Sequence, residues 1–361
     1  MDNFIAYLDA QKEKTTIDYF AVTQAINTHY QSWQNTHSVD LVLPPQPIHR
    51  KKTIDVSLAT IGDIIRVIDE NPYETGTEYN FDLKALHNIR AELVELNDMI
   101  GMNTLKSSVF NQLIYFIQDL HKESGDFKHT IICGPPGTGK TEVAKIIGRM
   151  YSKVGILKKD TFKKVTRSDL IAGYLGQTAL KTSKVIADSI GGCLFIDEAY
   201  SLADNDMYSK ECIDTLCEAL SDHKDDLMVI IAGYENELDE TFFKANSGLR
   251  SRFIWKFSID EYTADEVNQI FHKKVAQQGW TVDCDTVKWF ENKIKEFKYF
   301  GRDVELLLSH IKICHSRRIF GKDESARKKI TLDDIDAGYK VFLENKTSKM
   351  KTIQFPMGMY V

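Results

Sequence analysis

The sequence predicts an α/β fold: a parallel sheet flanked by helices, followed by a helical region and preceded by a smaller, mostly helical one. Three observations carry that expectation. A short apolar run, Thr130-Ile131-Ile132-Cys133, leads into a glycine-rich turn and then a helical run from Glu142 to Ile147. A second apolar run, Cys193-Leu194-Phe195-Ile196, ends in two carboxylates, as suits a strand buried on both faces of a parallel sheet. Beyond Thr263 the apolar residues recur at helical spacing. The seven prolines, at 44, 45, 47, 72, 135, 136 and 356, leave 137 through 355 free for regular structure.

Composition narrows the class. At roughly 150 residues per domain, 361 residues imply two or three domains. Lys plus Arg is 46 against 52 for Asp plus Glu, a net charge of −6, which argues against a basic nucleic-acid-coating protein and an acidic disordered tail. No apolar run approaches the roughly 18 residues of a membrane span. The start, Met1-Asp2-Asn3-Phe4, lacks the features of a secretory leader. Six cysteines without a CxxC pair read as reduced thiols, so a cytoplasmic, reducing location is expected.

Taken in order, Tyr19, Val22, Ile26, Tyr30 and Trp33 predict an amphipathic helix, either an aromatic face for a partner or a small local core. Leu43-Pro44-Pro45-Gln46-Pro47 is a spacer or loop, because proline locks φ and extends the residue before it. A second helix follows Thr60, with Ile61, Ile64, Ile65 and Ile68 on one face, and stops near Asn71-Pro72. A third starts at Asp82 and carries Leu83, Leu86, Ile89, Leu93 and Leu96.

The glycine-rich turn has a definite chemistry. Gly134-Pro135-Pro136-Gly137-Thr138-Gly139-Lys140-Thr141 satisfies the spacing G-x-x-x-x-G-K-T. Its backbone N–H groups can curl around β- and γ-phosphates at the positive end of the following helix. Lys140 supplies a point charge, and the Thr141 hydroxyl is a ligand for Mg²⁺. At the end of the second apolar run Asp197 would hold Mg²⁺, and Glu198 would polarise the attacking water. The competing readings are a structural glycine turn and an acidic strand-end cap.

These residues resemble the AAA+ ATPases, and the likeness extends over about residues 96 to 345. Asn97-Asp98-Met99-Ile100-Gly101-Met102 is similar to the segment lining the adenine pocket. Gly173-Tyr174-Leu175-Gly176-Gln177-Thr178 is similar to the pore loop, whose aromatic-aliphatic-glycine triplet grips a threaded polypeptide. Ile231-Ala232-Gly233-Tyr234 resembles the sensor-1 strand, with Tyr234 where many members carry Asn, Thr or Ser. Asn246 through Phe253 resembles the arginine-finger segment, with Arg252 the first candidate and Arg250 the second. Ser247 stands there in place of a usual proline. Arg302, in Phe300-Gly301-Arg302, falls at the sensor-2 position. The resemblance is strongest to the branch containing red-type Rubisco activase, sporulation stage V protein K and type VII secretion ATPases, through wording such as Phe195-Ile196-Asp197-Glu198-Ala199-Tyr200-Ser201-Leu202.

The resemblance implies an AAA+ P-loop core over 86–258 and a helical lid over 259–346. The mostly helical region 1–85 and the tail 347–361 stand outside that pattern. It implies ATP and Mg²⁺ as cofactors, with nucleotide contacts from Ile100, Gly101, Gly134, Pro135, Pro136, Gly137, Thr138, Gly139, Lys140, Thr141, Glu142 and Arg302. Asp197 and Thr141 would be the metal ligands, and Lys140, Glu198, Tyr234, Arg250, Arg252 and Arg302 the hydrolytic groups. It further implies self-association into a ring, a hexamer as in the family, and a protein substrate gripped by Tyr174, Leu175 and Gly176. Two alternatives are a nucleic-acid remodeller or loader, against which the negative charge and the aromatic triplet speak, and a nucleotide-gated scaffold working through residues 1–85.

The lid reads as four helical stripes. A capping box at Thr263 to Glu266 precedes Val267, Ile270, Phe271 and Val275, with Gly279 as the stop. Val287, Phe290, Ile294 and Phe297 follow; then Val304, Leu307, Leu308 and Ile311; then Ile335, Tyr339 and Phe342 after Thr331. Cys133, Cys212 and Cys217 read as buried packing, Cys314-His315 lacks a second pair at zinc spacing, and Lys158 to Lys164 reads as a solvated basic face. The apolar end, Phe355 to Val361, either docks on its own ring or binds something else.

Overall fold

The computed structural model of the chain describes residues 23–28, 50–174, 176–204 and 206–351. The chain divides into two compact units, one of Met1–Arg50 with Gly76–Glu78, the other of Lys51–Thr75 with Tyr79–Val361. In the first unit residues 23–28 are helical and Ile26 is exposed. Tyr19, Val22, Tyr30, Trp33, the prolines at 44, 45 and 47, and the 355–361 segment lie outside the described residues. In the second unit, Lys51–Thr75 belongs to the same body as the sheet.

The first helix of that body is α1 (Ile61–Glu70). The Thr60 hydroxyl accepts from the Asp63 amide and the Asp63 carboxylate accepts from the Thr60 amide, a reciprocal cap. Ile61, Ile64, Val67 and Ile68 are its buried residues, with Ile65 only partly covered. The helix expected from Asp82 is two helices, α2 (Leu83–Asn88) and α3 (Arg90–Asn97), broken at Ile89. The spacing explains the break. On one straight helix Leu83 and Leu96 would stand about 140° apart at roughly 100° per residue. Interrupting the helix at Ile89 (φ −102°, ψ 6°) lets Leu83, Leu86, Ile89, Leu93 and Leu96 all reach the core.

Helix α4 (Asn103–Ile117) leads to the sheet. Its strands and helices alternate as β1 (Thr130–Cys133), α5 (Lys140–Val154), β2 (Phe162–Val165), α6 (Thr178–Ser189), β3 (Cys193–Ile196), α7 (Met207–Asp222) and β4 (Met228–Gly233). The short α8 (Gly248–Arg252) and β5 (Trp255–Ser258) complete it. All five strands are parallel in the order β2-β3-β4-β1-β5. β1, β3 and β4 are buried along their whole length, which is why they read as unbroken apolar runs. Side chains alternate between two cores. Ile132, Phe195, Met228 and Ile230 join one, with residues of α4 and α5; Ile131, Cys133, Leu194, Val229 and Ile231 join the other, with residues of α6 and α7.

Beyond β5, where a lid was expected, the chain forms α9 (Ala264–Gln277), α10 (Val287–Lys293), α11 (Phe300–Ile319) and α12 (Leu332–Lys351). Thr263 and Glu266 form the expected capping box. The second stripe needs correction. Val287 is 38% exposed, Trp289 at 8% takes the inward position, and the helix tightens into a 3₁₀ turn at Ile294–Glu296. The Trp289 indole donates to Asp336 at 2.8 Å, so its one polar atom is satisfied as its rings pack. A parallel pair, Thr281–Val282 with Lys329–Ile330, also interrupts what read as helices alone. All six cysteines are free thiols, and among the described residues no helix is long and apolar enough to cross a membrane.

Candidate functional site

The loop after β1 is shaped by its glycines. Gly137 (φ +76°) and Gly139 (φ +90°) adopt the left-handed backbone that other residues avoid. At Gly137 the reason is also steric. A Cβ there would strike the Tyr299 carbonyl and lie 3.2 Å from the Arg302 amide, so the start of α11 rests directly on the loop. Gly139 caps α5, whose amide end faces the loop. Lys140 Nζ donates to the carbonyls of Gly134 and Pro135, both at 2.8 Å, and the Thr138 hydroxyl donates to Pro135 at 2.8 Å. Burial pulls the Lys140 ammonium below its ordinary range, against the pull of Asp197.

At the end of β3 the chain turns sharply. Glu198 sits in the left-handed region (φ +52°, ψ +49°), a conformation costing a non-glycine residue about 1–2 kcal/mol. Its carbonyl accepts from the Ser201 amide at 2.8 Å, starting a 3₁₀ turn, and its side chain stays exposed. Asp197 is ion-paired with Lys164 of β2 at 2.7 Å. Parallel register sets Lys164 beside Phe195, so its side chain runs 5.8 Å from that ring toward the carboxylate two residues on. At the end of β4, Tyr234 lies 5.7 Å from Lys140 Nζ and 6.1 Å from the Tyr200 ring. Burial, followed by Glu198, pushes the Tyr200 hydroxyl up to about 12.

Lys140, Thr141, Asp197, Glu198, Tyr234 and Arg302 line one cavity of about 170 Å³. A second, of about 380 Å³, adjoins it across Gly137, Gly139 and Glu142, with Met99, Ile100, Met102, Tyr262 and Ile270 on its walls. A polar cavity beside a larger cleft with apolar walls suits a triphosphate joined to a flat base. Gly101 (φ +65°) lies behind that wall, where a Cβ would meet the Glu266 carboxylate. Thr141 and Asp197 line the same small cavity, and a hydroxyl and a carboxylate are hard oxygen donors of the kind that fit Mg²⁺.

Other expected site residues lie elsewhere. Arg252 Nε donates to Ser221 at 2.8 Å and Nη1 to the Gly248 carbonyl at 2.6 Å; Arg250 pairs with Asp239 at 2.6 Å over the Phe243 ring. Neither lines the cavity of its own chain. Tyr174 is 75% exposed, Gly176 has φ +77°, and Leu175 lies outside the described residues. The loop carrying them is closed at its base: the Ala172 amide donates to the Thr178 hydroxyl, Thr182 to the Leu170 carbonyl, and Lys181 to the Ile171 carbonyl.

Sequence reading missed Tyr262, whose hydroxyl donates to the Thr138 carbonyl, and Lys164, which it placed on a solvated face. Tyr262 had a local signal, standing immediately before the Thr263 cap. Lys164 had none, because its partner comes from another strand.

A parallel sheet with a glycine loop around Lys140, and carboxylates at the end of β3, defines a P-loop nucleoside triphosphatase. A family model described as the ATPase family associated with various cellular activities (AAA) matches residues 130–258. A cfxQ-like protein of Acanthamoeba polyphaga mimivirus is 42% identical over 276 residues, covering 74% of this chain and 68% of its own. The CfxQ homologue of Pyropia yezoensis is 34% identical over 265 residues, 69% of this chain and 88% of its own. The ESX-3 secretion system protein EccA3 of Mycobacterium tuberculosis is 36% identical over 227 residues, 58% of this chain; the match spans 36% of that longer protein. The AAA domain of FIGL-1 shares the fold at a TM-score of 0.53 and 16% identity, covering 76% of this chain and 96% of its own. In complex with ADP the same domain gives 0.51 at 19% identity, covering 71% and 89%. The chain belongs to the AAA+ ATPases, in the branch of the CfxQ-like proteins and the EccA secretion ATPases, and ATP hydrolysis is the activity that membership carries.

Proposed function

We propose that the chain converts ATP hydrolysis into pulling on a protein through the centre of a ring of identical subunits, six as in the family. The observation that carries this reading is Tyr174, an aromatic side chain standing 75% exposed on a loop pinned at both ends. An exposed ring gains nothing from the core, but it grips a passing chain by apolar contact. Support also comes from a secretion-system protein among the relatives.

In this reading Lys140, with the amides of Gly137 to Thr141, binds the phosphates, and Ile100 and Gly101 help to enclose the base. Thr141 and Asp197 hold Mg²⁺, which when bound neutralises charge on the phosphate oxygens. Lys164 releases Asp197 as that happens. Glu198 orients the attacking water, and its exposed carboxylate leaves room for it. Tyr234 and Arg302 contact the γ-phosphate from the same chain. Arg252, or Arg250 in second place, is supplied to the neighbouring subunit's site, in keeping with its absence from its own cavity. Residues 86–258 are the motor core and 259–346 the lid that moves against it. Residues 1–85 and the tail from 347 select the partner.

The test is Tyr174→Ala. Basal ATPase should stay within about twofold of the unmodified chain, while substrate-stimulated turnover and remodelling fall to background. Undiminished remodelling would sink the threading reading and favour a nucleotide-gated scaffold; salt-sensitive stimulation by DNA or RNA would favour nucleic acid.

A further inference from the structure

Arg167 follows β2 and opens a four-residue helical turn, Arg167–Leu170, that leads into the Tyr174 loop. Thr166 and Asp169 cap that turn reciprocally, which fixes the direction in which Arg167 leaves the backbone. Its guanidinium then reaches out of its own segment. Nη1 donates to the Ser201 carbonyl and, at 3.1 Å, to the Ser209 hydroxyl; Nη2 donates to Asp206 at 3.0 Å. The carboxylate of Asp204 lies 3.1 Å from Nη1.

These partners lie on the segment that follows the hydrolytic carboxylates. Ser201 closes the 3₁₀ turn that starts at Glu198. Asp206 is the N-cap of α7 and accepts from the Ser209 amide at 2.6 Å. One planar fork therefore joins the Glu198 turn, the start of α7 and the base of the Tyr174 loop. On the far side, α6 holds the same base through Thr182 on Leu170 and Lys181 on Ile171. The stretch from Arg167 to Thr182 is thus braced internally, and Arg167 is its charged link to the Glu198 turn. A rigid five-donor fork can hold several acceptors in one plane; an ammonium cannot.

We propose that Arg167 is a positioning residue that couples the Glu198 turn to the Tyr174 loop, so that a change at the nucleotide displaces the aromatic side chain. It touches neither the nucleotide nor the polypeptide. The proposal deepens the reading of Tyr174 as the gripping residue and rests on it only for the purpose of the coupling, not for its existence.

The test uses the full chain in a Glu198→Gln background that holds ATP without turning it over. Deuterium uptake of the segment 170–180 is compared with and without ATP, for Arg167 and for Arg167→Lys, Arg167→Ala and Asp206→Asn. Asn caps a helix as well as Asp does, so the last variant keeps the α7 cap while weakening the link and guards against misfolding of the others. The expected result is an ATP-dependent change in uptake with Arg167 that shrinks at least threefold in Arg167→Lys and partly in Asp206→Asn, while the Kd for ATP stays within about twofold. A full ATP-dependent change in Arg167→Lys would overturn the proposal. So would no change with Arg167 itself. If the change depends on Arg167 and yet Tyr174→Ala remodels normally, the coupling stands and the gripping role of Tyr174 falls.

Discussion

The loop after β1 and the loop after β2 both follow parallel strands and both carry glycines, yet they are built for opposite surroundings. The first lies under the lid, where a Cβ on Gly137 would collide with backbone of α11. The second stands in solvent; at Gly173 and Gly176 nothing lies within 4 Å of where a Cβ would be. Glycine makes room for a neighbour in the first loop. In the second it frees the chain to carry an exposed ring.

That contrast can be broken by substitution. The largest effect belongs to the covered site. If Glu198 orients the attacking water, as proposed, and binds no phosphate, Glu198→Gln should lower kcat by about 10²–10⁴ and leave the Kd for ATP within about threefold. A variant that still hydrolyses ATP at the normal rate would remove Glu198 from the chemistry. Next come the glycines themselves. Gly137→Ala should cost on the order of 2 kcal/mol or more of stability and weaken ATP binding at least about tenfold, because the clashing neighbour is backbone and cannot swing aside. Gly173→Ala should stay within about 0.5 kcal/mol. Equal costs at the two positions, measured by denaturant unfolding, would erase the distinction.

The other end of β1 sharpens it through pH. His129 is fully buried; its Nδ1 accepts from the Val229 amide and Nε2 donates to the Leu220 carbonyl, both at 3.1 Å, so the neutral ring is held in one tautomer. Burial drives its pKa down to about 4, from an ordinary value of 6.5. Between those values the unfolded chain binds the proton that the folded chain refuses. Stability is therefore full above about 6.5 and declines as pH falls toward 4, by on the order of 3 kcal/mol from this group. Unfolding midpoints at pH 7 and 5 that coincide would contradict it. A small effect is expected at Lys164, whose pair with Asp197 is partly exposed and worth no more than about 1 kcal/mol. Lys164→Gln should lower the Mg²⁺ concentration that half-saturates the tightening of ADP binding by up to about fivefold. An unchanged midpoint would mean the pair does not compete with the metal.

What could be read from the residues was what chemistry confines to one stretch of chain. The phosphate loop had to be G-x-x-x-x-G-K-T, and the buried strands had to be apolar runs, so both were visible before any packing was known. The Thr60 and Thr263 caps are equally local, and the second is legible as a capping box in the residues alone. Contacts between strands were not visible. Lys164 reaches Asp197 only because β2 and β3 pair in register, and Arg167 meets Ser201 and Asp206 only because the turns after those strands lie side by side. The break at Ile89 and the inward turn of Trp289 were hidden for a related reason. Periodicity shows that a stripe exists, but burial decides where the helix must bend to keep it covered.

The order of the strands has a mechanical result. β5 is the last strand of the sheet and lies beside β1, with the Ile259 amide donating to the Cys133 carbonyl at 2.8 Å. The chain therefore enters the lid within a few residues of the phosphate loop, and Tyr262 touches Thr138 on the way. Any rotation of these helices against the sheet would thus have its fulcrum next to the phosphate loop. From there α11 extends for 20 residues, about 30 Å, as a lever arm whose near end carries Arg302. A small tilt about that end would be magnified along the helix toward Ile319.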